Sequence, residues 1–545
     1  LVLLVFIFEP TSMSSIFLKF FILCYKLCPK ISEKHSLAID LTMNSLKTFL
    51  LLAITFTLGT PTFSQVKKRP NIVFIFSDDH AFQAISAYNG PLAKLAPTPN
   101  IDRIGREGMR FDKCYVTNSL CTPSRATVLT GTHSHINGVK ILSDRLDTNK
   151  STFPVILKAL GYQTALIGKW HLKSDPKGFN YWEILNNQGQ YYNPDFISST
   201  GTQRVEGYAT DIITDKALHW LQDGRDKAAP FMLMIQHKAP HRPFEKGPDH
   251  LRTYENVTFP EPPTLFDDYE GRGTPAKTQE MMIDKHMRLG NDLKIASKET
   301  GYQPNRRMND QQRKAWNQVY DSVTTDFQSR NLSGKELVKW KYQRYMKDYL
   351  ATVRSVDDNV GRVLDYLDKN GLTENTLVVY CSDQGFYLGE HGWFDKRFMY
   401  EESFRTPLLM KWPQAISKGS VNTDLVSNLD FAQTFIELAG GKSPEVMQGL
   451  SLVPVMKNQT PKDWRNSLYY HYYDYPAEHK VPRHEGVANK NYKLINFYQQ
   501  GEWELYDLQK DPQELKNQYS NPAYATILKT MMTELQKLKK QYKAE

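Results

Sequence analysis

Asn71-Ile72-Val73-Phe74-Ile75-Phe76-Ser77-Asp78-Asp79 is an apolar run that ends in two adjacent carboxylates. A strand apolar on both faces belongs in the middle of a sheet covered on both sides. The design recurs three times. Leu377-Val378-Val379-Tyr380-Cys381-Ser382 delivers Asp383 and Gln384; Phe231-Met232-Leu233-Met234-Ile235 runs into Gln236-His237-Lys238-Ala239-Pro240-His241; and Thr164-Ala165-Leu166-Ile167-Gly168 runs into Lys169-Trp170-His171. Apolar strands that finish in chemically capable side chains describe an open α/β sheet, where ligands bind outside the carboxyl ends of the strands. The expected fold is therefore α/β: a large central, mostly parallel sheet flanked by helices. A smaller carboxy-terminal domain of antiparallel sheet plus helix is expected to follow. It rests on the strand-prone runs Ser467–Tyr473, Lys493–Phe497 and Trp503–Tyr506 and on the basic helical run Thr526–Tyr542.

Between the first two strands in the chain lies Cys121-Thr122-Pro123-Ser124-Arg125. Pro123 suits the first turn of a helix, where its missing N–H costs nothing, and a helix start favours an anion. Arg125 brings a rigid fork of donors. Taken singly these are weak signals, since most cysteines are small buried hydrophobes and paired acids are common in solvated turns. On an extended segment Lys169 and His171 share a face while Trp170 packs behind. Asp78, Asp79 and Asp383 offer the hard oxygens that calcium accepts in flexible geometry. His241 can carry a proton near neutral pH; Lys238 is ambiguous. Residues 242–330 read as polar and irregular, an inserted lid or wall. Val356, Val360, Val363 and Leu367 mark the buried face of a helix, with Arg354, Asp357 and Asp358 as its salt-bridged residues.

The chain has 545 residues, 23% of them charged, and a formal net charge of +9. That is enough for a large core and two domains, and the positive balance favours anionic polymers. No arginine-rich block or aromatic-basic stripe argues for nucleic acid. With five cysteines, of which Cys114, Cys121 and Cys381 follow residue 64, a disulfide scaffold is excluded, and Cys114 and Cys381 are expected as two buried thiols, with one Cys114–Cys381 bridge in an oxidising compartment as the rival.

The Cys-Thr-Pro-Ser-Arg run followed by Leu129-Thr130-Gly131, the Gly168-Lys169-Trp170-His171-Leu172 run, the Pro240-His241-x-Pro243 motif and the Asp383-Gln384-Gly385 strand end together resemble the type I, formylglycine-dependent sulfatases of the alkaline phosphatase superfamily. The signal style and the Gly389-Glu390-His391-Gly392-Trp393-Phe394-Asp395-Lys396-Arg397 run resemble those of secreted bacterial polysaccharide sulfatases. The resemblance implies that Cys121 is oxidised to Cα-formylglycine, whose hydrate attacks sulfur. It further implies that Asp78, Asp79, Asp383, Gln384 and residue 121 hold one Ca2+. Arg125, Lys169 and Lys396 then offset the sulfuryl charge, His241 protonates the departing alcohol and His171 assists the final release of sulfate. Many relatives carry asparagine where this chain has Gln384, which moves the amide donor outward. His135, His237, His391, Arg397, Arg483 and His484 are the further candidates for touching substrate. Implied partners are a sulfated oligo- or polysaccharide, such as ulvan or another algal glycan, with glycosaminoglycans as a further class, and a formylglycine-generating or anaerobic sulfatase-maturing enzyme. The rival readings are a phosphomonoester or phosphonate hydrolase of the same superfamily and a non-catalytic protein that binds sulfated glycans.

Met43-Asn44-Ser45-Leu46-Lys47, the apolar stretch to Leu58 and the small residues to Ser64 read as a secretory signal peptide. The segment 1–42 reads as upstream translation or a mis-set start, with an amino-terminal membrane anchor as the rival; its apolar runs are too short to span a bilayer comfortably. The expected organisation is thus 1–42, a signal at 43–64, a catalytic domain at 65–460 and the smaller domain at 461–545. The protein is expected to be exported to the periplasm or the exterior, without stable membrane insertion.

Overall fold

The computed structural model describes residues 69–298 and 306–544; the expected signal peptide and the segment before it lie outside the described residues. Ten strands form the central sheet. In chain order they are β1 (Asn71–Asp78), β2 (Met109–Phe111), β3 (Gln163–Gly168), β4 (Tyr181–Leu185), β5 (Asp195–Ser198), β6 (Gly201–Arg204), β7 (Phe231–Pro240), β8 (Thr376–Ser382), β9 (Leu408–Lys411) and β10 (Ser420–Asn422). Their spatial order is β10-β2-β9-β8-β1-β7-β3-β4-β5-β6. The middle of the sheet, β8-β1-β7-β3-β4, is parallel throughout, and antiparallel pairs begin at β9 on one side and β5 on the other.

Period-two alternation divides β1 between two cores. Ile72, Phe74 and Phe76 face one layer, packed with Ala126, Val128 and Leu129 of helix α2 (Cys121–Thr130) and with Phe431 and Phe435. Val73 and Ile75 face the other, with Ile101 and Ile104 of helix α1 (Pro99–Arg106) and Val356, Val360 and Val363. Those valines belong to one unbroken helix from Gly334 to Lys369. Asp357 reaches from it to accept the backbone N–H groups of Asn100 (3.0 Å) and Ile101 (2.8 Å), satisfying donors that the start of α1 leaves open.

One expectation needs correcting. The stretch 242–330 is irregular only in its first part; Asp310–Arg330 is a regular helix. A capping box between Asn309 and Gln312 starts it, and Trp316, Val319 and Tyr320 bury one face of an otherwise polar sequence. β7 also runs five residues past Ile235, so Gln236, His237 and Lys238 are strand residues, although the strand bulges against β1 between Gln236 and Pro240.

The smaller sheet is an antiparallel meander of β11 (Ser467–Tyr472), β12 (His484–Asn489), β13 (Tyr492–Phe497) and β14 (Glu502–Asp507). Tyr469, Val487, Leu494 and Leu505 on one face pack against Met531, Leu535, Leu538 and Tyr542 of the terminal helix Ala525–Tyr542. On the other face Tyr470, Tyr472, Ile495 and Phe497 pack against Phe398, Tyr400 and Phe404. Cys114, Cys121 and Cys381 are free and buried. Among the described residues no helix is long and apolar enough to cross a membrane.

Gly168 closes β3 with φ of 109°, and a Cβ there would lie 2.0 Å from the Gln236 carbonyl oxygen on the neighbouring strand. That oxygen accepts the Lys169 N–H. Gly168→Ala is expected to lower stability by about 2–3 kcal/mol, measured as the shift of the urea unfolding midpoint.

Candidate active site

The carboxyl ends of β1, β8, β7 and β3 meet the first turn of α2. Asp78, Asp79 and Asp383 stand there with oxygens within 4.8 Å of one another, all essentially buried. Three cations face them. Arg125 donates to Asp383 Oδ2 from Nε (3.1 Å) and Nη2 (3.0 Å), Lys169 pairs with Asp78, and Lys396 Nζ lies 2.6 Å from Asp79 Oδ1. Charge therefore governs protonation here. Burial pushes the Asp79 carboxyl up to about 6 against the pull of Lys396. Burial and the repulsion of Asp78 push Asp383 up to about 7. Asp78 is buried as deeply, yet Lys169, His241 and Arg125 hold it well below the usual carboxylate range.

The backbone is bent to bring these groups together. Asp79 has φ of 64°, His171 56°, Asp395 76° and Arg397 102°, all in the left-handed region that side chains other than glycine rarely adopt. The Tyr349 hydroxyl clamps the first of these turns by donating to Asp79 O (2.7 Å) and accepting from Ala81 N (2.8 Å). Asp79 N also donates to Asp383 Oδ1.

Cys121 is the first residue of α2, a helix buried along its whole length. Its Sγ lies 3.5 Å from Lys396 Nζ and 3.7 Å from Gln384 Nε2. Burial, with Asp78 adding repulsion, pushes its thiol well above the ordinary value against the pull of Lys396 and Lys169. A protonated, enclosed thiol is a weak nucleophile. Asp78 Oδ1 and Gln384 Oε1 are buried acceptors with no hydrogen-bond donor, while the Gln384 amide nitrogen donates to Asp79. Hard oxygens left without donors beside clustered carboxylates fit a divalent cation such as calcium.

Two imidazoles flank the cluster. His241 Nδ1 is anchored 2.6 Å from the Arg242 carbonyl oxygen, which leaves Nε2 turned to the site, 3.7 Å from Asp79 Oδ2. Burial and the cations Lys169, Lys238 and Lys396 push it well below the usual imidazole value, although Asp78 opposes them. His171 Nδ1 lies 3.4 Å from Thr122 Oγ1, and burial with Lys169 brings it down to about 2. Trp170 packs away from both and donates to Ser174 O.

Ten sequence-derived candidates thus gather in one largely buried cluster: Asp78, Asp79, Cys121, Arg125, Lys169, His171, His241, Asp383, Gln384 and Lys396. The others stand apart from this cluster. Arg397 is buried beside Asp395 (3.3 Å) and Glu478 (3.7 Å), one residue from Lys396, and its Nη1 has no hydrogen-bond partner. His484 is enclosed between Phe398, Tyr470 and Tyr472. Arg483 donates to the carbonyls of Tyr473 and Tyr475. His391 is enclosed by Asp267, Arg272 and Glu402. His135 reaches the Tyr542 carbonyl at the end of the terminal helix. His237 is buried, with neither ring nitrogen hydrogen-bonded.

Sequence reasoning missed Gln236, whose Oε1 accepts from Arg125 Nη1 at 2.6 Å. Had the strand been continued past Ile235, its alternation would have put Gln236 on the same side as Met232 and Met234, the side packed by α2.

Buried oxygens able to hold a metal, matched cations and paired imidazoles at the strand ends are the equipment of a hydrolase acting on anionic esters. Residues 70–441 match the sulfatase family model, and residues 389–541 match the model described as N-sulphoglucosamine sulphohydrolase, C-terminal. The chain belongs to the formylglycine-dependent sulfatase family of the alkaline phosphatase superfamily. It is 49% identical over 491 residues to an N-acetylglucosamine-6-O-sulfatase of Bacteroides thetaiotaomicron, covering 87% of each chain. It is 28% identical over 453 residues to human N-acetylglucosamine-6-sulfatase, covering 78% of this chain and 71% of that one. A solved structure in complex with its substrate D-glucosamine-2-N,6-O-disulfate matches with a TM-score of 0.85 at 49% identity, over 88% of this chain and 99% of that one.

Removing the Arg125 fork leaves Asp383 buried without its cation. Arg125→Ala is expected to cost about 3–5 kcal/mol of stability, read from urea unfolding. Arg125→Lys keeps the charge but loses the two-pronged geometry, and should fall between the alanine variant and the parent.

Proposed function

We propose that the protein hydrolyses the 6-O-sulfate ester of a glucosamine residue, N-acetylated or N-sulfated, in a sulfated carbohydrate. The observation that carries this reading is the 49% identity to an N-acetylglucosamine-6-O-sulfatase across 87% of the chain. That span takes in a pocket whose acids and bases are balanced before any metal enters. Asp78, Asp79, Asp383 and Gln384, with residue 121 beside them, would hold Ca2+. Calcium would supply charge compensation at the sulfuryl group, and formylglycine at 121, when hydrated, a hydroxyl directed at sulfur. A divalent cation among three acids and three bases leaves a net positive site, suited to an anionic group.

The remaining work falls to fixed side chains. Lys169 and Lys396 hold sulfuryl oxygens, while Arg125, braced by Asp383 and Gln236, sets the geometry around residue 121. A sugar hydroxyl is a poor leaving group and needs a proton as it departs. His241 delivers it from Nε2, because Nδ1 is tied to the Arg242 carbonyl, and the bound anion raises its affinity for that proton. His171 is kept neutral by burial and Lys169, and so can accept a proton when sulfate is released. The Cys121 thiol is enclosed in the folded chain, so its oxidation by a formylglycine-generating or anaerobic maturing enzyme precedes closure of the pocket. Export, directed by residues 43–64, puts the protein in the periplasm or outside the cell. Residues 65–460 form the catalytic domain and residues 461–545 the smaller domain beside it.

Two measurements test the reading. In protein co-expressed with a formylglycine-generating enzyme, the tryptic peptide Cys114–Arg125 should be about 18 Da lighter than its thiol form; thiol alone, despite an active maturase, would remove the nucleophile from the mechanism. Sulfate release from N-acetylglucosamine 6-sulfate and N-sulfoglucosamine 6-sulfate should exceed release from a galactose 6-sulfate or 4-sulfate by at least about 100-fold. Faster cleavage of a 6-phosphate than of the 6-sulfate would make the protein a phosphohydrolase.

A further inference from the structure

Lys238 is a buried cation without a carboxylate. Its residue is 4% exposed, and among the described residues no acid lies within ion-pair distance of its ammonium, which rests 5.0 Å from the centre of the Tyr191 ring. Other buried lysines are treated differently: Lys341 donates to the carbonyls of Ile283 and Asp284. Lys169, Lys246, Lys294, Lys396 and Lys493 each touch a carboxylate, of Asp78, Glu255, Asp348, Asp79 and Glu514 respectively. A lone ammonium removed from water is costly unless something pairs with it.

Its position shows where a partner would come from. β7 bulges between Gln236 and Pro240, so alternation does not place Lys238; its ammonium lies over Tyr191, and its charge acts on His241 and is felt alongside Lys169, Asp78 and Asp79, which sets it beside the charged cluster. Tyr191, which supports the ammonium, also donates its hydroxyl to the His241 carbonyl at 2.5 Å. Lys238 therefore stands over the same aromatic ring that holds the loop of His241. Burial and the neighbouring Lys169 bring the Lys238 ammonium down to about 8, against the distant pull of Asp78, Glu245 and Asp79.

We propose that Lys238 is a substrate-binding residue whose ammonium pairs with an anionic oxygen of the sulfate group being hydrolysed, the counter-ion that the protein itself does not provide. This rests on the sulfatase reading above. It adds a cation from β7 to the three that already face the carboxylates.

The test is Lys238→Met, which keeps the length of the side chain and removes the charge. KM for N-acetylglucosamine 6-sulfate and the inhibition constant of inorganic sulfate should both rise about tenfold, and Lys238→Arg should recover most of the loss. The urea unfolding midpoint of Lys238→Met should equal or exceed that of the parent, because an unpaired buried charge has gone. Unchanged sulfate inhibition, or a lower midpoint with unchanged KM, would overturn the assignment. So would an effect confined to the 2-N,6-O-disulfated sugar, which would put the contact at the amino group. If the parent protein releases no sulfate from any ester, the functional reading fails by itself. Calorimetric binding of inorganic sulfate to parent and Lys238→Met then still decides the role of Lys238.

Discussion

Three carboxylates held within one small buried space are the constraint around which this protein is built. Asp78, Asp79 and Asp383 come from two adjacent strands, and their mutual repulsion would open the fold if each lacked an opposing charge. The answer draws cations from three separate segments: α2 gives Arg125, the end of β3 gives Lys169, and the irregular segment after β8 gives Lys396. Every one of these ties two pieces of chain together. The charged centre is thus also a tertiary cross-link, and the sheet and its helices are positioned by the same contacts that create the chemistry.

The surrounding architecture stiffens that centre. The long helix Gly334–Lys369 serves twice: Asp357 secures the start of α1, and Tyr349 pins the left-handed turn at Asp79. From the opposite side the small antiparallel sheet presses Tyr470 and Tyr472 onto the segment around Phe398 and Tyr400. Tyr470 also joins the segment before α2 to the one that carries Lys396, accepting from Ser119 N and donating to the Arg397 carbonyl. A second sheet that looks peripheral in sequence therefore buttresses the segment that carries Lys396.

Much of the site was legible in the sequence. Strands that are apolar on both faces announce themselves, and the polar residues at their carboxyl ends make up the site. Asp78, Asp383, Lys169 and His241 stand out as strand-end residues, but a solvated turn reads the same way, and the resemblance to the sulfatase motifs is what singles them out. Cys121 does not stand out by its type, because burial of a cysteine is unremarkable; only its neighbours Pro123 and Arg125 set it apart. Two kinds of information were missing. Asp310–Arg330 has so few apolar residues that its helical face emerges only once Trp316, Val319 and Tyr320 are seen to be buried. The Gly385–Arg397 segment has no periodicity, since left-handed residues at His391, Asp395 and Arg397 interrupt it. Pattern alone therefore could not say that Lys396 faces the carboxylates while His391 turns to Asp267 and Glu402.

Helix α2 is enclosed from Cys121 to Thr130 with no residue facing solvent. Most helices have an outer stripe where sequence can drift at little cost, but this one has none. A change at any of its positions disturbs either the sheet, the neighbouring helices or the charged centre. Such a segment is mutationally brittle, and substitutions in it would be removed by selection whether or not they touch the reaction. The short motif that marks the chain so plainly is thus protected by its packing as well as by its chemistry.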